Sequence, residues 1–465
     1  FGAREDYTFV INKSVVTAMG AIDSSAYVGE VEEFEDLPGL RDYPKDGDGW
    51  RVNNGGTQAD DDYYVWSDAN SSWALTYEGT GFPENFKIVG ECRDAADLPT
   101  ALLPDPTDGD IWKVANKATR SDDYYVVWDE EVGKWLDIAD PFIANKIDSS
   151  TMPHALLRQG DGTFSLETIN WNDRGVGNET LVPDPVFIGK GVEDVCIHKN
   201  RLGLLAGNTV MLSQSGDLFN YWPEHAAQVV DSDPVDRVAS SRLAVKLRYG
   251  IPFRKTLFLT SDSDQFELTS GSFLTPKDAS LDYTTGYKSS SKCRPVVMGD
   301  ELYFTTSTQG RSIILEYFYN DETISNTAGE VTKHVGDYIP PDVLMMTTDP
   351  TTGTLWSYSD GRPAGVFSYS TYWDGEKKVQ SAWGFWDLGA DEIYEIGFMG
   401  SYLFLITRRG TDVTIEKISP VREAPLDNLV FNPLLDCRMV LTGAYDALTN
   451  KTSWTLPVNH RDRAH

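Results

Sequence analysis

Positive charge is scarce in this chain. Its 465 residues carry 40 Lys and Arg against 71 Asp and Glu, a formal net charge of −31 at pH 7. A general DNA-binding surface is basic, because binding runs on phosphate neutralisation, so the charge argues against that class. Histidine is scarcer. The six (His154, His198, His225, His334, His460 and His465) fall in no metal-ligand spacing. The four cysteines, Cys92, Cys196, Cys293 and Cys437, stand far apart and form no CxxC pair. Neither a zinc site nor a disulfide framework is supported, and single Cys in runs such as "EDVCIHKN" read as small buried apolar residues. GxSxG, the P-loop and HExxH are all missing. No apolar run is long enough to span a bilayer, and nothing resembles a signal peptide. Helical periodicity is hard to find anywhere. The chain opens at "FGAREDYTFV" without Met, which predicts processing or a longer parent.

What is present is β-forming. Thirteen Trp and 22 Tyr, with many Thr and Val, favour strands. The length predicts two or three domains. One string occurs twice: "TQADDDYYVWSDANSSW" from Thr57 and "ATRSDDYYVVWDEEVGKW" from Ala118. Leu37-Pro38 matches Leu98-Pro99, "DGDGWRVNN" matches "DGDIWKVAN", and Trp73 matches Trp135. The offset of 61 or 62 marks a tandem duplication, with equivalent units at residues 31–81 and 91–140. Each copy reads as a small antiparallel module: an Asp-Gly turn, a strand, a polar loop, a Tyr-Tyr-Val strand, a turn, and a strand ending in Trp. Aromatics should fill its core, so that Trp135→Ala costs about 3–5 kcal/mol. Acid concentrates here, with 26 Asp/Glu against 9 Lys/Arg between Val31 and Asp140.

Beyond Pro141 the acidity relaxes, and short strand-like runs punctuated by Gly, Asn or Asp follow one another from Thr151 to Ile418. Strands in groups of four suggest a β-propeller, with a β-sandwich pair as the alternative. "PKDGDGW" and "PTDGDIW" could be calcium loops, but they lack the twelve-residue spacing with a terminal Glu, and plain Asp-Gly turns are the preferred reading. "DSDPVD" (Asp231 to Asp236) and "SDSDQF" (Ser261 to Phe266) cluster carboxylates, the tools of glycoside hydrolysis. Exposed Asp at loop tips is the preferred reading there, with Asp233 and Asp264 as the residues to test. His154 in "TMPHALLR" follows a Pro in an extended segment and reads as structural. We find no catalytic, cofactor-binding or metal residues to assign.

Several long strings together carry a resemblance: "DYTFVINKSVV", the run from Thr151 to Pro223, "DSDPVDRVASSRLAVKLRYGIPF", "LTSDSDQFELTSG", "KHVGDYIP" and "QSAWGFWDLG". In this order they resemble the nozzle, or tail tubular protein B, family of short-tailed bacteriophages of the T7 type. The resemblance implies a non-enzymatic virion tail protein without cofactors. It implies a hexameric ring below a tail adaptor (tail tubular protein A), near tail fibres, whose channel passes genomic DNA without specific binding and with no membrane-spanning segment. The alternative is a tail-associated glycan-hydrolysing or receptor-binding β-propeller. The expected fold is all-β. Opening propeller strands lie in 1–20, module copies in 21–90 and 91–145, the propeller in 146–420, and a truncated distal β domain starts in 421–465. Family members begin earlier and continue further than this chain, and they carry one copy of the module; the doubled unit is expected to build rather than to catalyse.

Overall fold

The computed structural model describes residues 7–21, 29–31, 49–52, 62–67, 72–77, 88–92, 106, 109–114, 124–140, 143–308, 310–320, 322–375, 377–420 and 442–455. Among them the chain is all-β, with no α-helix and two 3₁₀ turns, Ser149–Thr151 and Gly336–Tyr338. β1 (Tyr7–Val10) opens the chain. Two small sheets follow. One holds β2 (Gly29–Val31), β3 (Gly49–Val52), β4 (Asp62–Ser67) and β5 (Ser72–Tyr77); the other holds β6 (Ile88–Cys92), β7 (Ile111–Val114), β8 (Tyr124–Asp129) and β9 (Lys134–Ile138). Then β10 (His154–Arg158) pairs with β1, and β11 (Phe164–Thr168) pairs with β10.

Four antiparallel meanders of four strands come next. They are β12 (Val192–His198), β13 (Arg201–Ala206), β14 (Thr209–Leu212) and β15 (Val235–Val238); β16 (Leu247–Phe253), β17 (Thr256–Ser261), β18 (Gln265–Thr269) and β19 (Ser280–Thr285); β20 (Val296–Met298), β21 (Glu301–Thr308), β22 (Arg311–Asn320) and β23 (Ser325–Glu330); and β24 (Val343–Asp349), β25 (Thr354–Ser359), β26 (Gly365–Asp374) and β27 (Lys377–Asp387). A three-stranded sheet of β28 (Glu392–Met399), β29 (Tyr402–Arg409) and β30 (Asp412–Ile418) ends the series, and a hairpin of β31 (Ala444–Asp446) and β32 (Lys451–Ser453) lies beyond it. That hairpin sits within the expected C-terminal unit; residues 421–441 lie outside the described set.

Turn chemistry explains the meanders. Lys199 and Asn200 both hold positive φ, 46° and 60°, the pattern of the hairpin turn whose twist matches its strands. Burial then stacks the sheets. β13 and β25 are buried along their whole length, which requires cover on both faces. Leu202, Leu204 and Ala206 pack with Ala155 of β10, whereas Leu205 joins Leu257, Leu259 and Phe266 of the next sheet. The alternation of strand side chains thus divides one strand between two cores. The same relation repeats down the series: Phe258 with Phe304 and Tyr317, Tyr303 with Phe367 and Tyr369, Trp356 and Tyr358 with Ile396 and Leu405. Each fully buried aromatic of this kind contributes on the order of 2–3 kcal/mol.

The duplication is structural, with three corrections. Both copies share one strand order and one ladder pattern. Each, however, has four strands, and the first pair is parallel: β2 with β3, and β6 with β7. The modules are therefore not purely antiparallel; the "VGE" repeats at Val28 and Val89 were the missed signal. Second, Trp73 and Trp135 stand near the start of the last strand, each opposite a Trp of the preceding one: Trp66↔Trp73 and Trp128↔Trp135. Third, the ladders align at 62 throughout β3 and β4. Trp50↔Tyr64 corresponds to Trp112↔Val126, and Arg51↔Tyr63 to Lys113↔Tyr125. The Tyr-Tyr match at 61 is one residue out of register, and a one-residue slip exchanges the faces of a strand. In the second copy Tyr125 and Trp128 are buried, while Trp135 is only half-buried against the rings of Trp112 and Trp128. Trp135 is thus a rim residue, and the large cost expected of it is reduced accordingly.

Candidate functional site

The first strand of four of the five sheets from β12 to β30 is interrupted in the same place, while β20, which opens the intervening sheet, pairs without a bulge. In each of the four the ladder skips one residue near the start, leaving Glu193, Arg248, Leu344 and Tyr394 as bulged residues. A bulge re-aims the side chain it carries. Here it joins two of them: Arg248 Nη1 lies 3.2 Å from Glu193 Oε2, across two sheets. Lys246 Nζ meets Glu193 Oε1 at 2.5 Å. The remaining edge of Arg248 forks onto Asp262, with Nε and Nη2 each donating at 2.8 Å.

The neighbouring residue, Asp194, extends the cluster to the segment that leads into β20. Its Oδ2 accepts the Gly250 N–H at 2.9 Å, and its Oδ1 accepts Arg294 Nη1. Arg294 also donates to the Gly250 carbonyl at 3.1 Å. Arg294 and Lys13 both approach the Tyr249 ring, at 5.9 and 5.2 Å, and the Tyr249 hydroxyl donates to the Ser291 carbonyl at 2.6 Å. Burial pushes the Asp194 carboxyl up, and Arg294 pulls it back. The Asp262 hydrogen bonds push Arg248 up. Burial pushes the Tyr249 hydroxyl up to about 12. Every carboxylate of the cluster already holds a cation, and Arg248 holds Asp262 in fork geometry. Such a set fastens sheets together; it offers no group poised to move a proton.

The carboxylates singled out in the sequence are not brought into a catalytic pair. Asp231, Asp236 and Asp262 are exposed, as expected. Asp233 and Asp264 are not loop-tip residues: they are 3% and 6% exposed. Both oxygens of Asp233 accept backbone N–H groups, from Glu224 at 2.9 Å and Val230 at 2.8 Å. Asp264 Oδ2 accepts the hydroxyls of Ser241 and Ser263 at 2.8 and 2.9 Å. Loop backbone without a ladder partner must find acceptors elsewhere, and buried Asp supplies them. Asp264 also lines an open hollow of about 520 Å³ with Ser240, Ser241, Arg242, Leu243 and Tyr283, but no second carboxylate and no His joins it there. Hydrolysis of a glycoside needs two.

The remaining candidates behave structurally. His154 lies in β10 with Nδ1 2.9 Å from the Met152 carbonyl. His198 is buried, and burial lowers it to about 4; His225 and His334 are exposed, and His460 and His465 lie outside the described residues. Cys196 and Cys293 are free and buried. The side chain of Cys92 and all of Cys437 lie outside the description. Gly109 of "PTDGDIW" has φ +85° and donates to the Trp128 carbonyl at 3.0 Å, which fits a turn leading into a ladder. Most of "PKDGDGW" lies outside the described residues. Among the described residues no group of three or more His, Cys, Asp or Glu is placed to hold a metal, and no helix is long and apolar enough to cross a membrane.

The bulge-borne cluster was not legible as a site in the sequence, since Glu193 and Arg248 are 55 residues apart; no local pattern announces their pairing.

Comparison with known proteins supplies what the geometry does not. A putative 6-phosphogluconolactonase from Bacteroides uniformis is 12% identical, with 73% of this chain and 92% of that chain covered and a TM-score of 0.35. Hsv2 of Kluyvelomyces marxianus is 8% identical over 61% and 69%, with a TM-score of 0.29. Likenesses this low carry no argument. The sequence comparisons are stronger. The tail tubular protein gp12 of Escherichia phage T7 is 30% identical over 379 residues, 80% of this chain and 48% of that protein. The chain therefore spans about half the length of that relative. The family model described as bacteriophage nozzle protein matches residues 84–465, so β6–β9 fall inside the match and β2–β5 before it. On this match and this identity, the chain belongs to the bacteriophage nozzle protein family.

Proposed function

We propose that this chain is a structural subunit of a short phage tail, a β-propeller that assembles into the nozzle ring and continues the DNA channel below the adaptor. The observation that carries the reading is family membership over residues 84–465. The sheet series supports the propeller. Six sheets follow in order, consecutive pairs share cores, and the first strands β12 and β16, β20 and β24, and β24 and β28 lie against one another. Radial repetition of meanders has this local signature. The propeller then comprises 1–20 and 146–420. The doubled module is inserted between β1 and β10, strands that pair directly.

The chemistry fits a conduit. DNA leaving a virion must slide without being held, and a basic lumen would arrest it. A net charge of −31 repels a duplex over about 8–10 Å at physiological salt. The test is DNA binding by the assembled ring. We expect binding no tighter at about 50 mM than at about 300 mM salt; tight binding that weakens steeply with salt would overturn the low-friction channel.

A further inference from the structure

Among the described residues, four sheets of the series have four strands and two have three, β1-β10-β11 and β28-β29-β30. Among the same residues, each short sheet ends on a strand with one backbone edge outside any ladder, β11 in one and β30 in the other. These two edges share a property. β11 exposes Phe164 (64%) and Leu166 (59%), and β30 exposes Val413 (58%) and Ile415 (76%). Alternate residues of a strand share a face, so each edge carries an apolar pair on one side. The outermost strands of the four-stranded sheets do not. β15 exposes Val238 alone among large apolar residues, β19 Tyr283, β27 Val379, and β23 none.

Edge strands usually carry protection: a proline, a bulge, or a free charge. Neither β11 nor β30 has a proline, and neither ladder is broken by a bulge. Three of their four charged residues, all but the exposed Asp412, are engaged within their own sheets. Glu416 receives both Nε and Nη2 of Arg409, at 3.0 and 2.7 Å. Lys417 lies 3.6 Å from the centre of the Tyr402 ring. Glu167 accepts the Ser165 hydroxyl at 2.7 Å.

We propose that β30 of one copy of this chain pairs with β11 of the next, so that two three-stranded sheets continue across a subunit boundary. The inference rests on the ring reading above and names the surface that makes the ring. A second copy is the occupant because each edge left open among the described residues is matched by the other edge of the same chain. The two match in apolar alternation and approach each other in length, five residues and seven. Contact between unlike surfaces is heterologous and can close into a ring, whereas β30 against β30 would stop at a dimer. Main-chain hydrogen bonds supply the affinity, and the apolar pairs set the register.

Native mass measurement on the full 465-residue chain tests this, using a β30 variant (Val413→Lys with Ile415→Lys) and a β11 variant (Phe164→Lys with Leu166→Lys). The unaltered chain is expected to form closed rings and each variant to be monomeric. Mixing the two variants is expected to give a heterodimer and nothing larger, since only one productive junction remains. Rings formed by either variant would overturn the interface while leaving the ring reading intact. An unaltered chain that stops at a dimer, beside a dimeric β11 variant and a monomeric β30 variant, would indicate β30–β30 pairing and overturn both the interface and the ring reading. A monomeric unaltered chain would overturn the ring reading and this inference with it. All four positions are exposed, so melting midpoints should not move; if the Lys pairs melt early, Phe164→Ser and Ile415→Ser serve the same test.

Discussion

Arg201 is bound to Leu274 across the seam between two sheets, its Nη2 donating to the Leu274 carbonyl at 3.0 Å. The same guanidinium donates to the carbonyls of Ser213, Ser232, Asp233 and Asp231 at 2.7 to 3.1 Å. It is 1% exposed, and burial holds its pKa below the usual arginine range. One planar fork thus gathers a long loop and the neighbouring sheet. Arg201→Met is expected to destabilise the chain by about 3 kcal/mol or more, because several buried carbonyls lose a charged donor together. Arg201→Lys should recover only part of this, since an ammonium cannot reproduce the fork. Urea denaturation of the three proteins checks the order.

His198 makes stability pH-dependent. Burial first, and Lys199 second, lower it from 6.5 to about 4. Below 6.5 the unfolded chain takes up a proton that the folded chain refuses. The contribution of neutral His198 is therefore complete above 6.5, and it is lost as pH falls towards 4. Denaturation midpoints measured through this window should fall less steeply for His198→Gln than for the unaltered chain.

The tryptophans of the second module copy should separate by burial. Trp128 is 8% exposed and contacts Trp135 at 5.4 Å between ring centroids. Trp128→Ala is expected to cost about 3–5 kcal/mol. Trp135→Ala removes a half-buried ring and is expected to cost about half as much. Thermal melts monitored in the near-ultraviolet distinguish the two.

Asp233→Asn and Asp264→Asn should lower stability, not activity. In Asp233→Asn one carboxylate oxygen becomes a donor facing a backbone N–H, a loss of about 1–3 kcal/mol. Neither the unaltered chain nor the variants should release reducing ends from capsule, lipopolysaccharide or peptidoglycan. Release that vanishes in either variant would restore a hydrolytic reading.

Some of this protein is legible without coordinates. The aromatic and β-branched composition determines an all-β chain, since such residues fit pleated sheets and no 3.6-residue stripe competes. The duplication is legible because both copies descend in one chain with their turns and tryptophans in step. Tertiary structure alone decided the rest, because pairing is non-local. β1 finds β10 more than 140 residues later. The parallel strand that opens each module is invisible to a search for hairpins, which join only antiparallel neighbours. Asp233 and Asp264 look like loop-tip acids until their loops fold over them and their oxygens meet backbone N–H and hydroxyl donors. Glu193 and Arg248 become partners only because bulges in separate sheets turn both side chains to one seam. Periodicity reports which face of a strand is apolar; which other strand covers that face is set by the packing of the whole chain.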